Sequence, residues 1–104
     1  MVETKIMVVE DEVIVARTIA NQLTQLGYTV VDMAASGPAA IAKATDKHPD
    51  LILMDIFLKG SMDGVKAASE IRSQLDVPII FLTAYADDDT LQRAKATLPM
   101  GYIV

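Results

Sequence analysis

Three short apolar runs, each ending in a polar group, constrain this chain more than any other feature. Ile6-Met7-Val8-Val9 runs into Glu10-Asp11-Glu12, Leu51-Ile52-Leu53-Met54 into Asp55, and Ile79-Ile80-Phe81-Leu82 into Thr83. Short apolar runs separated by helix-length stretches read as strands buried on both faces, the mark of a parallel sheet. In an open parallel sheet, ligands bind beyond the carboxyl ends of the strands. The pattern therefore collects carboxylates and a hydroxyl along one sheet edge. Crowded carboxylates repel one another and are tolerated when a cation neutralises them. Ligation by oxygen alone suits Mg²⁺.

The remainder alternates regularly. Residues 5–9 read as the first strand and 12–26 as a helix with Val13, Ala16, Ile19, Ala20 and Leu23 on its buried stripe. Gly27 stands where a left-handed C-cap is expected. Residues 29–34 read as the second strand. Ser36 offers an N-cap ahead of Gly37-Pro38, and this helix runs to about Lys47, where His48-Pro49-Asp50 breaks it. After the third strand, the loop 56–62 leads to a helix over 63–75, capped by Asp63, with Gly64, Ala68, Ile71 and Leu75 on one face. Val77-Pro78 enters the fourth strand. Asp87-Asp88-Asp89 suits a helix start, where free amides are positive, with Leu91, Ala94 and Leu98 on its buried face. Tyr102-Ile103-Val104 begins a fifth strand.

Strict β/α alternation predicts an α/β fold, a three-layer doubly wound parallel sheet. Of the two usual strand orders, 3-2-1-4-5 and flavodoxin-like 2-1-3-4-5, the second sets strands one and three side by side. It brings Asp11 to Asp55, as a shared metal site requires.

Composition narrows the function classes. A chain of 104 residues is a single domain at most, over 1–104. The net charge of −5 argues against nucleic-acid contact. There is no cysteine, hence neither a disulfide framework nor a thiolate metal site, and the lone His48 reads as a loop residue. The first residues are too charged for a signal peptide, and no stretch approaches the ~20 apolar residues of a membrane span. A cytoplasmic location without membrane contact is the expectation.

Taken together and in order, Glu10-Asp11, Asp55, Met62-Asp63-Gly64, Thr83-Ala84 and Gly101-Tyr102 resemble the receiver domain of two-component response regulators. The resemblance implies that Asp55 accepts a phosphoryl group from the phosphohistidine of a sensor histidine kinase or phosphotransfer protein. Asp11, Asp55 and the Phe57 backbone carbonyl would bind Mg²⁺ directly, and Glu10 through a water. Thr83 would hydrogen-bond the phosphoryl group, and Tyr102 would be the switch aromatic. On this reading the chain is a signalling domain rather than an enzyme acting on an external substrate. A receiver-like module that only binds proteins is the alternative. An aspartate-nucleophile phosphatase of the haloacid dehalogenase type needs an Asp two positions after the nucleophile, where this chain has Phe57.

Two departures from the family stand out. The loop after Asp55 lacks the usual Met-Pro pair and reaches Asp63-Gly64 one residue later than usual. The family's lysine and final helix follow the fifth strand, and the sequence ends at Val104 before either. The expectation drawn from that ending is a fold without its last helix. Its sheet face beside the first helix would be left bare, which favours self-association unless the chain is a fragment.

Overall fold

The apolar runs become adjacent strands whose registers bring their polar ends to one edge. The structure is a computed structural model that describes residues 3–82 and the backbone of 101–103. In chain order the elements are β1 (Lys5–Val9), α1 (Val13–Gln25), β2 (Thr29–Ala34), α2 (Gly37–Lys47), β3 (Leu51–Asp55), α3 (Gly64–Arg72), β4 (Ile79–Leu82) and β5 (Gly101–Ile103). The five strands form one parallel sheet in the order β2-β1-β3-β4-β5, as the sequence predicts.

Alternate residues of the strands face opposite layers. Met7, Val9, Ile52, Met54, Ile79 and Phe81 are buried in the larger core, together with Ala40, Ala44, Ala67, Ala68 and Ile71 of α2 and α3. The alanines let those helices approach the sheet closely. Ile6, Val8 and Leu53 face the other way, into a smaller cluster with Ile19 and Leu23 of α1.

Local chemistry explains the helix ends. The Leu26-Gly27-Tyr28 turn closes α1 with Gly27 N–H donating to Thr24 O (3.0 Å) and Tyr28 N–H to Leu23 O (3.0 Å). Gly27 sits at φ +96°, as this left-handed cap demands. Ser36 accepts from Ala39 N–H at 3.2 Å and caps α2. Asp63 accepts from Lys66 N–H at 2.9 Å and caps α3. His48 ends α2 at φ 47°, and Asp50 then clamps the start of β3 to β1, its carboxylate accepting from Lys5 N–H at 2.8 Å.

Two expectations need correction. Val13 is 59% exposed rather than buried. It lies in the first turn of α1, where Ile14 and Val15 are exposed as well and the first buried residue is Ala16. α3 ends at Arg72 rather than 75. Leu75 still packs against the core, but from the turn beyond the helix. The helix expected from Asp87 lies outside the described residues. Among those described, no helix is long and apolar enough to cross a membrane.

Candidate phosphoacceptor and metal site

β1 and β3 pair in register from Ile6↔Leu51 to Val9↔Met54. The next residue of each chain, Glu10 and Asp55, therefore emerges at the same carboxyl edge, with Asp11 one step further. One carboxylate oxygen from each of Glu10, Asp11 and Asp55 lies within 4.8 Å of the others. Asp55 also pairs with Leu82 of β4, which puts the end of that strand beside the cluster. Thr83 follows Leu82 and lies outside the described residues. Tyr102 is in β5, with its backbone in register with Phe81.

Backbone amides meet each carboxylate. Glu12 N–H donates to Glu10 Oε1 (3.1 Å), Phe57 N–H to Asp55 Oδ1 (3.1 Å) and Lys59 N–H to Asp11 Oδ2 (3.1 Å). The β3–α3 loop thus supplies two of the three donors. Its Phe57 backbone lies beside the cluster, and the contact shown is through the amide rather than the carbonyl. The Lys59 contact spans 48 positions of sequence and has no sequence signature.

Glu10 is the most perturbed group. Burial leads, and with Asp55 and Asp11 beside it, it raises the carboxyl from an ordinary 4.5 to about 7; the Glu12 amide works in the opposite direction. Glu10 is 9% exposed, so little water remains to stabilise its charge. Three close oxygen donors, one of them held back from ionising, are the electrostatic setting that a hard divalent cation relieves. The residues present therefore fit Mg²⁺.

Gly64 fixes the far side of the site. Its N–H donates to Ile56 O at 2.8 Å, and a Cβ there would overlap the Asp55 carbonyl. No side chain fits between α3 and the end of β3. The sequence places this glycine in a motif and on one face of the helix with Ala68 and Ile71, and the close approach to the Asp55 carbonyl is the added finding. Its sequence signal is a glycine directly after the capping aspartate, where helix propensity alone would disfavour it.

An open parallel sheet with an acidic cluster at the carboxyl edge of two adjacent inner strands defines an α/β domain of the doubly wound class. Residues 6–104 match the response regulator receiver domain, and the chain belongs to that family. It is 36% identical over 103 residues to the transcriptional regulatory protein PdtaR of Mycobacterium tuberculosis, covering 99% of this chain and 50% of PdtaR. It therefore spans about half the length of that relative. The signal receiver domain of a modulated diguanylate cyclase from Desulfovibrio desulfuricans G20 superposes with a TM-score of 0.92 at 40% identity, covering 97% of this chain and 80% of that one. The BeF3-activated N-terminal receiver domain of Klebsiella pneumoniae RstA superposes with a TM-score of 0.85 at 32% identity, covering 95% and 83%.

Proposed function

We propose that Asp55 is the phosphoacceptor of a Mg²⁺-assisted phosphoryl transfer from a histidine kinase or phosphotransfer protein. The observation that carries this reading is the cluster of Glu10, Asp11 and Asp55 oxygens within 4.8 Å at the end of the central strands. A carboxylate oxygen of Asp55 attacks phosphorus in line. The P–N bond to the donor imidazole breaks, and the electron pair leaves with that nitrogen. Phosphoryl transfer depends chiefly on positioning and charge neutralisation. The Phe57 amide positions the acceptor by holding Asp55 Oδ1. Bound Mg²⁺ would supply charge neutralisation, held by Asp11, Asp55 and the Phe57 carbonyl, with Glu10 acting through a water.

Thr83 then hydrogen-bonds the phosphoryl oxygens, and Tyr102 moves with it as the switch. A small charge event thereby biases a two-state element. The domain signals through this change and turns over no external substrate. The activation of the RstA receiver by BeF3 supports the reading, because a family member at 32% identity responds to such a group. Incubation with acetyl phosphate and Mg²⁺ followed by intact mass measurement tests it. One added phosphoryl group, absent in Asp55→Asn, is expected. An unmodified wild-type protein, or equal modification of the variant, refutes it.

A further inference from the structure

We infer that the backbone amide of Lys59 is a positioning group for Mg²⁺: it acts through Asp11, holding that carboxylate at the cluster and setting how tightly the site takes the cation. The inference rests on the metal-assisted role proposed above. Asp55 ends β3, and Glu10 is 9% exposed, so the sheet and the core constrain both. Asp11 stands between β1 and α1 and is only half-buried, so burial alone does not fix its side chain. The β3–α3 loop reaches it instead, the Lys59 N–H donating to Oδ2 at 3.1 Å across 48 positions of sequence.

The amide is held in place from both sides. Leu58 before it is 7% exposed and belongs to the larger core, so its side chain anchors the loop to the body of the fold. Gly60 after it takes φ +101° and turns the chain away at once. A Cβ at Gly60 would meet no atom within 4 Å, so this glycine serves the backbone conformation and not the space around it. A carboxylate has about four lone-pair sites, so Asp11 can accept the N–H and still ligate a cation. Carboxylates that ligate metals are themselves held by hydrogen bonds, and loss of such a partner typically costs about 10–100-fold in metal affinity. An acceptor already oriented also spares binding the cost of ordering that side chain.

Replacing the Lys59 amide by an ester in the chemically synthesised chain deletes this one donor and keeps the side chain. Mg²⁺ affinity is read by titration calorimetry for the all-amide chain, the Lys59 ester, an ester at exposed Ser61 of the same loop, Gly60→Ala and Asp11→Ala. The Lys59 ester should bind Mg²⁺ about tenfold more weakly, while the Ser61 ester stays within about twofold of the parent. Gly60→Ala should lose about threefold or more, because an L side chain resists the left-handed turn that aims the amide. A loss below about threefold in the Lys59 ester or in Gly60→Ala, or tighter binding in either, overturns the inference. So does an equal loss in the Ser61 ester, which marks a general effect on the loop. If the parent chain binds no Mg²⁺, or Asp11→Ala binds it equally, the metal site itself falls, and this inference with it.

Discussion

Replacing Glu10 by glutamine should stabilise the metal-free protein, and only at higher pH. The carboxyl rises from 4.5 to about 7 on folding, so the folded state holds its proton more tightly than the unfolded chain. For a carboxyl raised in this way, the contribution is full below the unfolded value and is lost as pH climbs through the folded one. Each unit corresponds to 1.36 kcal/mol, which sets an upper bound of roughly 3 kcal/mol lost between about pH 4.5 and pH 7. Glu10→Gln keeps an oxygen to accept the Glu12 N–H and carries no charge to desolvate. Near pH 8 without divalent ions it should therefore gain up to roughly 3 kcal/mol. A gain of 1 kcal/mol in a domain of this size moves the melting temperature about 4–8 °C. Thermal unfolding followed by circular dichroism in chelator, near pH 5 and near pH 8, reads the difference. Added Mg²⁺ should then raise wild type more than the variant, because the cation removes the same penalty. A variant no more stable than wild type near pH 8, or one stabilised equally at both pH values, refutes the electrostatic account of the cluster.

Other outcomes follow from the same geometry. Mg²⁺ at a hundredfold its dissociation constant should add about 2.7 kcal/mol to wild-type stability and little to Asp11→Ala; equal thermal shifts in the two count against the metal site. Gly64→Ala should cost at least about 1–3 kcal/mol, since its Cβ overlaps the Asp55 carbonyl, and an unchanged urea midpoint contradicts that packing. Phe57 is 39% exposed beside the acceptor and should shield the acyl phosphate from water. Phe57→Asn should shorten the half-life of phosphorylated Asp55, by radiolabel decay, and an unchanged or longer half-life removes the shielding role. Tyr85→Glu should do the same if Tyr85, outside the described residues, flanks the water path from the other side.

What could be read from the sequence follows the range of the interactions. The apolar runs end where the strands end, because a strand buried on both faces announces itself over a few residues. The caps at Gly27, Ser36 and Asp63 were legible for the same reason, each being a contact across three or four positions. Strand order needed one chemical assumption, that Asp11 and Asp55 share a cation, and the sheet bears out the order β2-β1-β3-β4-β5. Val13 departs from the expectation because periodicity tells which face a residue takes but not how much of that face is covered. The Lys59–Asp11 contact and the raised Glu10 carboxyl depend on tertiary burial and on a loop crossing long sequence separations, which no local pattern records.

The hydrogen bond from Gly64 N–H to Ile56 O closes the intervening segment at its base. The loop is thereby an Ω-like excursion closed at its base, with the Phe57 and Lys59 amides tying its first half to the acidic cluster. Lengthening such an excursion is inexpensive, about 0.6 kcal/mol for each doubling, because only closure entropy changes. The extra residue and missing proline that set this chain apart from the usual family pattern can therefore be accommodated without displacing Asp55. The acceptor and the start of α3 form a fixed frame joined at the base of the loop. The exposed side chains of Lys59 and Ser61 are the exchangeable part, whereas the Phe57 and Lys59 amides, buried Leu58 and the Asp63 cap belong to the frame.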